Sequence, residues 1–148
     1  MTKNFKAKGH TNKRMNEEVY AERRQVMDMI YRAKNLLRAN GIVMPRIDVR
    51  ITTMRKDTTT CGSARMGGNL IWIPDATLKQ PYLYKVVLHE LCHTIWNIEH
   101  DQNCKLMHTN VQLDYTDAEA EQIFVNYANT YENNTLFKSW KEKFTSNI

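Results

Sequence analysis

The sequence predicts one domain of the α+β class, in which a small mixed sheet of three strands packs with an N-terminal helix, a central helix and C-terminal helices. Three observations support this prediction. Apolar residues recur at helical spacing over residues 19–37, and three short segments between residues 46 and 73 have the patterns of strands. Apolar residues also dominate residues 84–96, which is typical of a buried helix.

The composition is that of a water-soluble globular protein, with 42% apolar and 25% charged residues. No apolar run is long enough to cross a membrane, and residues 1–14 lack the apolar stretch of a secretory signal. We therefore expect a cytoplasmic protein with no membrane partner. Cys61, Cys92 and Cys104 are odd in number and have no paired spacing, so we expect reduced thiols rather than a disulfide framework or a structural zinc site.

Positive charge is concentrated at the N-terminus, where five basic residues precede the first acidic residue, Glu17. They are Lys3, Lys6, Lys8, Lys13 and Arg14. Of the 21 basic residues in the chain, the other 16 balance the 16 acidic ones, so this segment accounts for the net charge of +5. We divide the chain into a disordered basic tail, residues 1–15, and a single domain, residues 16–148. A solvated tail is the favoured interpretation, and weak, salt-sensitive contact with nucleic acid is the alternative.

The first element of the domain is predicted to be a long amphipathic helix. Asn16 is a candidate N-cap, and Glu17 and Glu18 are acidic residues in the first turn. The apolar positions follow at steps of seven, four, three and four: Val19, Val26, Ile30, Ala33 and Leu37. The pair Asn40-Gly41 is expected to end the helix through a left-handed residue.

Three strands are predicted to follow this helix. Arg46 to Thr52 alternates between apolar and polar residues, as a half-buried strand does. Thr58 to Met66 and Leu70 to Ile73 are two further strands, joined in a hairpin through Gly67-Gly68. Pro74 and Pro81 then bracket a loop that leads into the central helix.

The central helix carries the motif His89-Glu90-Leu91-Cys92-His93. Two histidines four residues apart project from one face of a helix and can bind one metal ion together. A catalytic zinc site has three protein ligands and one water, and His100 is the first further histidine that the chain offers. Asn97 is placed to end the helix, so that the chain can turn back and bring His100 to the metal. We therefore predict one Zn²⁺ per chain, bound by His89, His93 and His100.

Glu90 is the predicted catalytic residue. It follows the first histidine directly, where its carboxylate can reach a metal-bound water without serving as a ligand. The predicted reaction is hydrolysis of a peptide bond in a protein or peptide substrate, with Glu90 accepting the proton of the attacking water. An extended substrate is expected to lie along the exposed edge of Thr58 to Met66.

The C-terminal part is predicted to be helical. Thr116 to Glu119 has the pattern of a capping box and starts a helix that continues to about Tyr131. Residues 136–144 have the pattern of a final docking helix. Glu119, 26 residues after His93, is an alternative third ligand, although the capping box already accounts for its position.

Two other classes of function are compatible with the histidine spacing. A three-histidine metal hydrolase that acts on RNA has the same spacing of its first two ligands and a later His-Asp pair, here His100-Asp101. Glu90 argues against that class, because those enzymes do not carry the His-Glu pair. A zinc-stabilised binding module without activity is the other alternative, and it would not need a general base.

Two local segments resemble the zincin-type metallopeptidases, most closely the SprT-like and WLM families. The first runs from Cys61 to Arg65, through Leu70 to Ile73, and on to Val86 to His93, and it is similar to the sheet-to-helix segment of those families. The second, His100 to Met107, resembles the segment that begins with their third ligand. The resemblance implies a zincin-like fold and zinc-dependent proteolysis and, for some SprT-like members, action on proteins bound to DNA.

The resemblance has departures around the third ligand. The families usually have Gly or Ser after the third histidine and an aromatic residue four positions beyond it, where this chain has Asp101 and Cys104. The metzincins are the second choice, because Met107 lies where their Met-turn would. Their conserved glycine is missing, and His100 comes one residue late. Asn97 precedes His100 by the same three residues as that glycine precedes its histidine.

Overall fold

The computed structural model describes residues 2–53 and 61–132, with side chains from residue 20 onward. These residues form an α+β fold, as predicted. The elements in chain order are helix α1 (Thr2–Ala39), strands β1 (Asp48–Thr52), β2 (Ser63–Ala64) and β3 (Leu70–Pro74), a 3-10 helix (Asp75–Lys79), and helices α2 (Leu83–Trp96) and α3 (Asp117–Glu132).

The sheet is mixed, as predicted, with the strand order β1-β3-β2. β3 is the central strand: it pairs parallel with β1 and antiparallel with β2. Leu70, Ile71 and Ile73 of β3 are buried, as expected for a strand with a neighbour on each side and helices against it. The predicted hairpin is confirmed, and Gly67 in its turn has a φ of 63°, which favours glycine.

Helix α1 covers one face of this sheet with the residues predicted from its periodicity. Val26, Ile30, Ala33 and Leu37 are all buried, and Val19, the other predicted position, lies outside the residues whose side chains are described. The predicted start at Asn16 is wrong, because the helix begins at Thr2 and the backbone of residues 2–15 is helical where a disordered tail was expected. An asparagine inside a helix costs well under 1 kcal/mol, so a candidate cap need not end the helix when residues on both sides favour it. The division into a tail and a domain from residue 16 stays a prediction.

Local stop and start signals elsewhere are confirmed. Gly41 ends α1 with a φ of 75°, and the N–H of Ile42 donates to the carbonyl of Leu37. At α3 the capping box is formed: the N–H of Glu119 donates to Thr116 Oγ1 and the N–H of Thr116 donates to Glu119 Oε1, both at 3.1 Å. The predicted helix over residues 136–144 and residues 58–60 of the predicted second strand lie outside the described residues. In the rest of that strand the prediction is too long, because only Ser63 and Ala64 pair in the sheet.

Helix α2 lies at the centre of the fold, against the sheet on one side and against α1 and α3 on others. Its only residues that are not buried are Lys85 and His89. This all-round burial explains why apolar residues dominate its sequence. None of the described helices has the length and apolar character needed to cross a membrane.

Candidate metal centre

The three residues of the motif project from α2 toward one cleft. Glu90 and His93 are buried, with 4% and 7% of their surface exposed, and His89 is partly buried. His89 and His93 are one helical turn apart, so their rings lie next to each other, with centroids 4.6 Å apart. The helix therefore presents two imidazoles and one carboxylate to the same space.

Asn97 brings the third histidine to this pair. It has a φ of 57°, in the left-handed region, and its N–H donates to the carbonyl of His93 at 3.1 Å. The predicted role of Asn97 as the stop of the helix is thus confirmed. The N–H of Gly67, from the turn of the hairpin, donates to the same carbonyl at 3.1 Å. The sheet is thereby hydrogen-bonded to the end of α2 at the point where the chain reverses.

The reversal places His100 against the other two rings. Its centroid is 5.2 Å from that of His89 and 4.8 Å from that of His93. One potential ligand atom from each of the three histidines lies within 4.8 Å of the others. The three histidines are therefore close enough to hold one metal ion, as predicted from their spacing.

Hydrogen bonds to backbone carbonyls fix the proton positions of the two helix histidines. His89 Nδ1 lies 2.6 Å from the carbonyl oxygen of Leu106, and His93 Nδ1 lies 2.5 Å from that of Ile98. A carbonyl oxygen can only accept, so both Nδ1 atoms carry the proton and donate. Each neutral ring then has a bare lone pair on Nε2. This is the form in which histidine binds a metal, with its other nitrogen held by a carbonyl.

The two bare Nε2 atoms lie 3.0 Å apart. A hydrogen bond between them would require one ring to become cationic or to give up its carbonyl partner. Burial opposes the first, because it lowers the pKa of His89 to about 4 and also lowers that of His93. Two lone pairs at this distance are instead compatible with a shared cation, since nitrogen ligands of a tetrahedral site lie roughly 3.4 Å apart. The donor set therefore fits a metal ion.

Glu90 lies beside the histidines in a site without room for a larger neighbour. Burial raises the pKa of its carboxyl to about 8. Gly62, just before β2, passes directly over it: a β-carbon at this position would lie 2.9 Å from Glu90 Oε2 and 3.0 Å from Val86 Cγ1. Gly62 is thus part of the site, which the sequence argument missed. The available signal was a glycine in the interior of the predicted strand Thr58 to Met66.

The site opens into a cleft of about 830 Å³. Residues 61–64 and Met66 form one wall, and residues 105, 106 and 108–112 form another. His108 in the second wall differs from the helix histidines, because its Nδ1 accepts the N–H of Asn110 at 3.0 Å. Its neutral ring therefore carries the proton on Nε2 and can act as a donor.

The segment after His100 is compact. The N–H of Asp101 donates to the carbonyl of Met107 at 2.9 Å, and Met107 is fully buried. This closed turn sets the position of the Leu106 carbonyl, which is the partner of His89. Glu119 is occupied in the capping box and does not join the histidine group, so the arrangement with Glu119 as third ligand is not the one formed.

Comparison with models of known protein families gives no match for this chain. Comparison with curated protein sequences gives none either.

Proposed function

We propose that this protein is a zinc-dependent metallopeptidase with a zincin-like fold, in which His89, His93 and His100 bind zinc and Glu90 is the general base. The observation that carries the proposal is the pair of bare Nε2 atoms of His89 and His93, which lie 3.0 Å apart. The buried carboxyl group of Glu90, which directly follows His89 in α2, accompanies them. The resemblance to SprT-like and WLM peptidases supports it from the sequence.

The donor set favours zinc among the metals that imidazole binds. Three neutral histidines with a fourth position left open are the ligands of several catalytic zinc sites. A bound zinc ion supplies Lewis-acid polarisation of a carbonyl and a lower pKa for water. His89 and His93 are prepared for binding, because their tautomers are set by the carbonyls of Leu106 and Ile98.

Glu90 carries the proton transfers of the proposed reaction. A cation held by the three histidines would favour the ionised form of this buried carboxyl. The carboxylate accepts a proton from the attacking water as the water oxygen bonds to the scissile carbonyl carbon. When the bond from that carbon to nitrogen breaks, Glu90 returns the proton to the leaving amine. Gly62 keeps the carboxylate in place, since any side chain there would displace Oε2. One water and one peptide bond are consumed, and one carboxyl and one amine are released.

The substrate is proposed to be an extended segment of a protein or peptide. β2 pairs only with β3 among the described strands, so its other edge has backbone groups available to a substrate strand. Residues of β2 also line the cleft, which places this edge beside the histidines. A weak contact of the basic residues 1–15 with nucleic acid stays a separate prediction.

The test is hydrolysis of casein and of quenched fluorescent peptides by zinc-loaded protein, with Glu90→Gln as the key variant. We expect the variant to bind zinc and fold normally but to lose hydrolysis by several orders of magnitude, because its amide cannot accept the proton. Full activity of Glu90→Gln would overturn the proposal. Cleavage of RNA but not of peptides by the same preparation would favour the three-histidine RNA hydrolase instead.

A further inference from the structure

Lys85 occupies the cleft one helical turn before His89. The four-residue spacing puts the two side chains on the same face of α2, with a rise of about 6 Å between them. Lys85 is partly buried and, like His89, lines the cleft. Lys85 therefore belongs to the lining of the same cleft as the three histidines.

Lys85 is held by an aromatic ring and not by a carboxylate. Its Nζ lies 4.7 Å from the centroid of Tyr115, whose ring is buried. Lys105 approaches the same ring at 6.0 Å but also forms an ion pair with Asp114, at 3.3 Å. Within the described part of the chain, Lys85 forms no ion pair with a carboxylate. Its charge is therefore available to a ligand.

The position of Lys85 in the helix is unfavourable for stability. It lies in the first turn of α2, where the helix dipole favours acidic residues, and this turn has none. The positive end of the dipole and the ammonium group thus add to each other at this end of the cleft. Glu99, which also lines the cleft, follows the C-terminal end of the helix. Along the chain, the cleft therefore has a positive charge before the two helix histidines and a negative charge after them.

We propose that Lys85, positioned by Tyr115, forms a subsite for a substrate carboxylate. The inference rests on the proposed peptidase function and adds a specificity to it. An acidic side chain and the C-terminal carboxylate of a peptide have the same chemistry, and either can fill such a subsite. The ammonium group binds the carboxylate one turn of α2 away from the reacting bond.

The test measures binding to the zinc-loaded Glu90→Gln protein, so that it does not depend on catalysis. The probes are eight-residue alanine-based peptides with Glu, Gln or Lys scanned through each position, made with free and with amidated C-termini. We expect Glu to improve binding about tenfold over Gln at one position, or the free C-terminus to do so over the amide. Adding Lys85→Met should remove the preference, and Lys85→Glu should replace it with a preference for Lys.

Lys34→Met is the matched control. Lys34 also lies over a tyrosine ring, with Nζ 5.6 Å from the centroid of Tyr31, but it is not part of the cleft, so its loss should leave the preference unchanged. Absence of a carboxylate preference, whether all peptides bind alike or none binds, would overturn the subsite. Hydrolysis by the native protein is scored separately. Cleavage without a carboxylate preference would overturn the subsite alone, whereas a preference without cleavage would support the subsite and overturn the proposed function.

Discussion

Backbone groups that the sequence motif does not contain give the two helix histidines a tautomer that can bind a metal. Leu106 and Ile98 contribute only their carbonyls, and each accepts the Nδ1 proton of one ring. Hydrogen bonds of this kind fix both the tautomer and the direction of the ring. A His-x-x-x-His spacing alone provides two rings on one face. The carbonyls of Ile98, before His100, and Leu106, after it, give the two rings the tautomer that can bind a metal.

The third ligand can be tested by metal binding. We expect about one zinc per molecule in the native protein, and His100→Ala should weaken zinc affinity by at least about 100-fold, since even the loss of a partner behind a ligand costs 10–100-fold. Glu119→Gln should retain the affinity, because Glu119 caps α3 instead of joining the histidines. Titration with zinc in competition with a chromophoric chelator measures both. Weakened zinc affinity in Glu119→Gln together with native affinity in His100→Ala would identify Glu119 as the third ligand.

Gly62 can be tested as the residue that positions the general base. In Gly62→Ala the new methyl group would meet Glu90 Oε2 at 2.9 Å, so the carboxylate must move. A displacement of about 1 Å at a catalytic group can reduce the rate about 100-fold, so we expect kcat to fall by that order while zinc is retained. Gly41→Ala, at a glycine that does not line the cleft and where an added methyl group meets no atom within 4 Å, is the control and should keep kcat, although the φ of 75° makes that variant less stable. Equal rates for the two variants would mean that Glu90 tolerates the shift.

At the scale of the elements, Asn97 connects the length of α2 to the geometry of the site. If the helix continued past Trp96, the chain could not bring His100 back to His93. The left-handed turn is supported from the sheet by Gly67, whose N–H donates to the His93 carbonyl. The hairpin, the helix end and the third histidine are therefore coupled.

This coupling predicts different effects for two substitutions at Asn97. Alanine in a left-handed conformation costs about 1–2 kcal/mol, whereas glycine adopts it freely. Asn97→Ala should therefore lower the free energy of unfolding of the metal-free protein by about 1 kcal/mol and weaken zinc binding. Asn97→Gly should preserve both. Urea unfolding and zinc titration measure the two quantities, and indistinguishable Ala and Gly variants would show that the φ of Asn97 does not position His100.

The elements that could be predicted are those with local signals. The stop at Asn97, the capping box at Thr116 and the hairpin turn at Gly67 each depend on residues within a few positions of one another. The choice of β3 as the partner of β1 and the start of α1 at Thr2 were not predicted. The first depends on contacts between distant segments, and the second on a continuing helix that overrides a plausible cap.

The site shows the same division. Histidines and a glutamate at a fixed spacing are recognisable from residue type alone. His89, Glu90, His93 and His100 could therefore be found in the sequence. Backbone carbonyls have no sequence signature, so the carbonyl partners of the His89 and His93 rings could not be found in the sequence. Gly62 acts by lacking a side chain, and only the folded structure shows what that side chain would strike.

At the scale of the whole molecule, one partly exposed network joins helices α1, α2 and α3. Tyr84 of α2 donates its hydroxyl to Glu121 Oε2 of α3 at 2.5 Å. Arg32 of α1 contacts both, with an ion pair to Glu121 at 3.2 Å and its guanidinium carbon 4.2 Å from the centroid of the Tyr84 ring. Because Tyr84 is five residues before His89 on the same helix, this network fixes the helix that carries the site.

Burial in this fold predicts a loss of stability in alkali. The pKa values of Tyr84, Tyr115 and Tyr127 are all raised, first by burial, and for Tyr84 also by the hydrogen bond to Glu121. A raised pKa in the folded state keeps the full stabilisation below the ordinary tyrosine pKa of about 10. Above it the unfolded chain releases protons that the folded chain keeps, so the free energy of unfolding falls by up to about 1.4 kcal/mol per pH unit for each tyrosine.

Tyr84→Phe tests this prediction together with the network. At pH 7 the variant should be less stable by about 1 kcal/mol or more, because the hydrogen bond to Glu121 is lost. Above pH 10 it should lose stability more slowly than the native protein, since it has one fewer buried phenol to ionise on unfolding, and the two curves should converge. Tyr31→Phe, at an exposed ring, is the control and should follow the native curve. Urea unfolding between pH 7 and pH 11 gives these free energies, and parallel curves for Tyr84→Phe and the native protein would show that the Tyr84 hydroxyl does not contribute to the alkaline loss.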